Sequence, residues 1–121
     1  MAFPVDEQYI IAAEQEFGRL FPSDHRKRLL QSNGGEIQAD DEVWQLFPVF
    51  DPTNQKRIAR TTNHIVHETA LWRSSYGFPE DAIAIAENGA GDVLIIKNDS
   101  DLIEHWSHET GTLKTVEVDW G

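Results

Sequence analysis

Cysteine is missing from all 121 residues. Its absence excludes a disulfide scaffold, a thiol nucleophile and thiolate metal ligands, and it suits a reducing compartment. Basic residues are scarce, 10 against 21 acidic ones, for a formal charge of −11. Such a field repels a phosphate backbone, which disfavours nucleic-acid binding, and attracts a basic partner. No apolar run approaches the roughly 20 residues of a membrane-spanning helix. The start, Met1-Ala2-Phe3-Pro4-Val5-Asp6-Glu7, has no basic stretch followed by an apolar one, so no signal peptide is expected. A single cytoplasmic domain over residues 1–121 is the expectation. Four Trp, six Phe and two Tyr within a 40% apolar composition supply bulk for its core.

Val5, Tyr9, Ala13, Phe17 and Leu20 recur at helical spacing, which predicts an amphipathic helix over 5–20 with Asp6, Glu7, Glu14 and Glu16 on the wet side. Phe21-Pro22 breaks it. A second helix over about 24–32, capped by Ser23 or Asp24, ends at Asn33-Gly34-Gly35. Short strands follow at 36–38 and 42–48, joined by an Asp40-Asp41 hairpin turn, with Trp44 and Leu46 on one face and Pro48 at an edge or strand end. Residues 55–75 read as mainly helical, with a cap at Thr62 or Asn63. The last third reads as an antiparallel meander. It comprises Ile83–Ala86, a turn at 87–92, the apolar run Val93–Ile96, a turn at 98–101, a strand over 102–108, and a last strand over 113–120. A register break between Leu113/Thr115 and Val116/Val118 reads as a bulge. The fold class is therefore α+β: a mostly antiparallel sheet with two N-terminal helices and one middle helix packed on it. An exposed edge near 44–48 or 113–118 would permit pairing of copies, and the oligomeric state stays open.

Chemistry-bearing residues form several groups. His64-x-x-His67-Glu68 lies on one helical face, but a zincin needs His-Glu-x-x-His, so no metal is expected. Glu104, His105, Trp106, Ser107 and His108 alternate on a strand, with His105 and His108 on opposite faces. A hydrolase would need one of these histidines set against a carboxylate and a nucleophile. Gly89-Ala90-Gly91-Asp92 is too short for a phosphate loop and precedes a strand, so it reads as a turn in which Asp92 bonds turn amides. Asn33, Gly34, Gly35, Gly89, Gly91 and Asp92 are thus expected to be structural turn residues, and no cofactor is expected. The acidic clusters Asp40-Asp41-Glu42 and Asp99-x-Asp101 with Glu104 flank turns, where exposed carboxylates suit contact with a basic protein. Arg26-Lys27-Arg28 and Lys56-Arg57-x-x-Arg60 are local basic patches.

The order of these motifs resembles the SMI1/KNR4 family, also called the SUKH superfamily. The matching pieces are Phe21-Pro22 after the first helix, Asn33-Gly34-Gly35 after the second, and the tryptophan strand Glu42-Val43-Trp44-Gln45-Leu46. Ile83 to Ile95, with Gly89-Ala90-Gly91-Asp92 inside it, and the His108-Glu109-Thr110-Gly111 turn complete the pattern, which spans roughly residues 5–119. Members commonly continue into a final helix, whereas this chain stops at Gly121, so a short member or a shortened chain is expected. Bacterial members of the family are mostly immunity proteins that bind and neutralise toxins, many of them nucleases. Fungal members are regulators that act through protein contacts. The family has no established catalytic residues. The resemblance therefore implies a non-enzymatic toxin-binding immunity protein or, as the alternative, a regulatory or scaffold domain that binds a host protein.

Overall fold

The computed structural model describes residues 2–121. Helix α1 (Glu7–Phe17) starts at Asp6, whose carboxylate accepts from Gln8 N at 3.0 Å, and stops at Gly18 in the left-handed conformation. Its buried face is Ile10, Ala13 and Glu14, rotated from the expected stripe. Glu14 lies in the interior, not on the wet side, because its carboxylate accepts from Phe21 N (2.8 Å) and pairs with Arg26 Nε (3.2 Å) where the chain turns. Leu20 falls beyond the helix and is 73% exposed. Helix α2 (Ser23–Gln31) is entered through Pro22 with no side-chain cap, so neither Ser23 nor Asp24 has the expected capping role. Its interior side is His25 and Leu29. At its end Asn33 is tied both ways to Val49: Nδ2 donates to the carbonyl and Oδ1 accepts from the amide, each at 2.9 Å.

The hairpin of β1 (Glu36–Ala39) and β2 (Glu42–Leu46) turns at Asp40-Asp41, both with positive φ (53° and 60°). This is the conformation that a two-residue hairpin turn requires, and aspartate tolerates it better than most residues. The expected middle helix is two helices. Asn54 caps α3 (Gln55–Arg60) and His64, not Thr62 or Asn63, caps α4 (Ile65–Arg73) by accepting from His67 N. The remaining strands are β3 (Ile83–Glu87), β4 (Val93–Ile96), β5 (Glu104–Trp106), β6 (Leu113–Thr115) and β7 (Val118–Asp119).

All pairings are antiparallel, in the order β6-β5-β4-β3-β2-β1-β7. The break after Thr115 is therefore not a bulge: β6 and β7 lie on opposite edges of one sheet. A flat sheet would separate those edges by about 29 Å, six strand spacings. The three peptide links from Thr115 to Val118 span at most about 11 Å. The sheet must curl. The bulge lies instead between Ala84 and Ala86, where the freed Ile85 carbonyl accepts from Phe47 N at 2.8 Å. β2 is interior to the sheet, so Pro48 marks a strand end and residues 44–48 offer no edge.

Directly opposed residues share a face. By that rule Leu46, Ala86, Leu94, His105 and Lys114 line one face, with Trp44 two residues before Leu46. Trp44 reaches His105 three strands away, ring centroids 4.9 Å apart, so this face is concave. Trp106 points the other way, against Trp72 of α4 and Phe78, which places α4 on the convex face. β4 is covered on both sides, as its unbroken apolar run implied.

His25 is the anomaly of the core. It is 0% exposed, stacked on Trp120 (5.5 Å, 18°) and tilted against Phe21 (4.8 Å, 40°), and neither ring nitrogen has a hydrogen-bond partner. Burial, then the charges of Arg19 and Arg28, push its pKa down to about 3. The unfolded chain takes up a proton near pH 6.5, so native stability falls as pH drops from about 6.5 toward about 3. His25→Phe keeps the ring and removes two orphaned polar atoms. It is expected to raise stability by about 1–2 kcal/mol at pH 7 and by more at pH 5, as measured by urea denaturation. An advantage that shrinks at pH 5 would contradict this account.

Candidate functional site

The curl gathers five polar side chains that are far apart in sequence. His105 on β5 uses both ring nitrogens: Nδ1 meets Asp40 Oδ2 and Nε2 meets Asp92 Oδ2, each at 2.8 Å. Asp92 also binds His108, through the ring Nδ1 at 2.6 Å and the backbone amide at 3.1 Å. Lys114 Nζ donates to Asp40 Oδ1 at 2.7 Å. The chain of contacts Lys114–Asp40–His105–Asp92–His108 thus joins the β1–β2 turn, the start of β4, β5, the β5–β6 turn and β6.

Local sequence prepares each partner. Positive φ at Asp40 sets its carboxylate at the hairpin corner. Asn88 Oδ1 accepts from the amides of Ala90 and Asp92 and holds the glycine turn, which is the role expected of Asp92. Asp92 is thereby free to act as a bridge. Gly91 is required for two reasons: its φ is +99°, and a Cβ there would lie 3.0 Å from the His108 ring. β5 ends at Trp106, so His108 turns back toward Asp92 and joins His105, contrary to the strict alternation expected over 102–108.

Electrostatics follow from the geometry. Burial alone would lower the His105 pKa, but hydrogen bonds and charge from Asp92 and Asp40 outweigh it and raise the pKa above its ordinary value. Hydrogen bonds from Lys114 and then His105 hold Asp40 low. Burial pushes Asp92 up, yet the bonds from His105 and His108 leave it lowered. The favoured state is an imidazolium between two carboxylates. Such a ring has no lone pair for general-base work. Among the described residues, no serine or threonine hydroxyl is hydrogen-bonded to His105 or His108.

The expected contact residues fall into two separate places. Asp40, Asp41 and Glu42 sit at the end of the sheet that carries the β3–β4 and β5–β6 turns. Asp40 is engaged in the clamp, Glu42 accepts from Asn88 Nδ2 at 3.2 Å, and Asp41 is exposed. Asp99 and Asp101 belong to the β4–β5 connection and Glu104 opens β5, at the opposite end in an antiparallel meander. Asp99 and Asp101 are exposed and Glu104 is half-buried; Asp101 pairs with Arg19 at 2.6 Å. His64 Nδ1 is spent on its helix cap, and the His64 ring packs against Phe50 and His67.

The sign of the clamp's pH dependence is set by its members. A raised His105 pKa contributes stability below about 6.5, and that contribution is lost as pH climbs through the higher folded value. The lowered Asp40 and Asp92 contribute above their ordinary carboxylate range and lose their contribution as pH falls through their folded values. His105→Gln is expected to cost about 2 kcal/mol at pH 6, with the deficit narrowing toward pH 9 in parallel denaturation curves. A deficit that widens at high pH would overturn the assignment.

Comparison with known proteins gives one informative result. No curated protein matches the sequence. The family described as "SMI1 / KNR4 family (SUKH-1)" matches residues 4–120, nearly the whole chain, in agreement with the motif order and the curled antiparallel sheet. The chain belongs to the SMI1/KNR4 (SUKH-1) family.

Proposed function

We propose that the protein is a non-enzymatic immunity protein that neutralises a basic toxin, such as a nuclease, by direct contact. Membership of a family that includes toxin immunity proteins carries this reading. The charge of −11 supports it, because such a field accelerates encounter with a cationic partner. The saturated His105 supports the non-enzymatic part, since its nitrogens serve the fold.

Binding also needs a desolvated centre. The β4–β5 end supplies one: Leu20 is 73% and Leu102 58% exposed. The Arg19 guanidinium lies beside them, donating to the carbonyls of Leu20 and Ser100 at 2.7 Å each. Asp99, Asp101 and Glu104 form the acidic rim of this surface. Asp41 and Glu42, on the clamped opposite end, contribute to the steering field and to a second contact.

The test is the gene neighbourhood and its product. A toxin encoded beside this gene should be held in a stable complex, and co-expression should protect cells from it. Asp99→Lys with Leu102→Ala is expected to weaken the complex at least about tenfold, while far-UV circular dichroism stays unchanged. Absence of both protection and binding would sink the proposal. Binding of a host regulator in place of any toxin would favour the scaffold role.

A further inference from the structure

Asparagine is followed directly by glycine at two places, Asn33-Gly34 and Asn88-Gly89. Such a step is chemically labile, because a residue without Cβ lets its backbone nitrogen approach the preceding side-chain carbonyl carbon. That nitrogen bonds to Cγ and gives up its proton, the Cγ–Nδ2 bond breaks, and the side-chain nitrogen leaves with the proton as ammonia. Water then opens the succinimide ring at either carbonyl, which yields aspartate or isoaspartate. Water is the sole co-reactant. The two steps share a sequence and differ in surroundings.

At the first step every reacting atom is restrained. Asn33 is 8% exposed, and its Nδ2 and Oδ1 are both bound to Val49, 16 residues on in the chain, away from Gly34. The Gly34 amide already donates to the Ser32 carbonyl at 3.0 Å, and the glycine lies against Leu46 and Pro48. At the second step the restraints work the other way. The Asn88 side chain folds over its own turn, with Oδ1 accepting from Ala90 N at 2.9 Å and Asp92 N at 3.2 Å. Those two amides sit where negative charge builds on Oδ1 when Cγ is attacked, the arrangement that stabilises an oxyanion. The leaving nitrogen, Nδ2, is bound to Glu42 Oε1 at 3.2 Å. Gly89 is exposed, with no heavy atom within 4 Å of where a Cβ would stand. Among the described residues, its amide has no hydrogen-bond partner.

We propose that Asn88 is a site of spontaneous deamidation in the folded protein, through a succinimide closed by Gly89, and that the fold protects Asn33 from the same reaction. The product acts on the clamp. Aspartate at position 88 loses the Nδ2 donor to Glu42 and sets a third carboxylate beside Glu42 and Asp92. Isoaspartate also routes the main chain through the former side chain, which displaces the acceptor of the Asp92 amide. Asp92 grips both His105 and His108, so a change at position 88 loosens the anchor of the clamp. The site is independent of the toxin reading.

The full chain would be incubated at mildly alkaline pH with and without urea, then mapped by mass spectrometry with fragmentation that separates aspartate from isoaspartate. Both steps are expected to react in the unfolded chain. In the folded chain Asn88 is expected to react at least about tenfold faster than Asn33. The aged protein, separated by ion exchange on its added negative charge, is expected to unfold at a lower temperature and to show shifted ring resonances of His105 and His108. Equal rates at the two steps of the folded chain, or a faster loss at Asn33, would overturn the proposal. Unchanged His105 and His108 resonances in the aged protein would overturn its link to the clamp.

Discussion

A link of two residues governs the architecture. Val116 and Glu117 join strands that lie on opposite edges of a seven-stranded sheet, so the sheet can form only if it curls. Curling puts β2 and β5 face to face and creates the concave interior in which Trp44 is fully buried, its Nε1 donating to the Ala39 carbonyl at 2.8 Å. It also brings the rims of distant turns together, where Asp40, Asp92, His105, His108 and Lys114 meet. Apolar burial supplies most of the driving force. What the polar chain adds is geometry. An imidazolium gripped at both nitrogens fixes how far the sheet closes, because sliding either edge breaks a charged hydrogen bond in a partly buried setting.

Two histidines show how strongly environment decides chemistry. His25 and His105 are both withdrawn from water, yet their proton affinities move in opposite directions. His25 packs against the rings of Phe21 and Trp120 with two arginines nearby and no hydrogen-bond partner, so burial dominates and the neutral form wins. His105 pays the same kind of desolvation penalty but faces two carboxylates at hydrogen-bond distance, which reverses the outcome. Their contributions to stability consequently oppose each other across mildly acidic pH. Acid protonates the unfolded partner of His25 and weakens the fold, while alkali discharges His105 and loosens the clamp. The native state is best served between those limits, where one ring is neutral and the other charged.

Much of the fold was legible in the sequence because it rests on local rules. Helix breaks at Phe21-Pro22 and Asn33-Gly34-Gly35, the Asp40-Asp41 turn and the two-sided burial of Val93–Ile96 all follow from residue type and spacing. The failures share a cause: they depend on contacts between distant segments. Glu14 reads as solvated until Phe21 N and Arg26 turn toward it. His64 is an unusual cap, and propensity favours its neighbours Thr62 and Asn63. The split between β6 and β7 has the same period-two texture as a bulge, and only strand partners distinguish the two. The clamp was missed for the same reason. Asp92 lies 13 positions from His105 and 16 from His108, and no one-dimensional pattern marks that pairing. One available signal was Gly91, since a glycine directly before an acid at a strand start implies a close approach from another segment.

Closure at one end of the sheet has a consequence for recognition. The turns tied together by Asp40 and Asp92 lose conformational freedom when the protein folds, so little further entropy is spent if that end meets a partner. Its charges, however, are partly neutralised by His105, His108 and Lys114, which leaves less for a partner to pair with. The β4–β5 end has the converse character. There a single guanidinium, Arg19, gathers the carbonyls of Lys97, Asn98 and Ser100 and the Asp101 carboxylate, while leucines beside it stay exposed. A loop held by one half-buried cation is fixed at its base and open at its surface, and aliphatic area there is released from water only when another molecule covers it. In the binding proposed above, long-range attraction and short-range burial would fall to different parts of the same small domain, with charge acting mainly on the rate of encounter and the leucines on the lifetime of the complex.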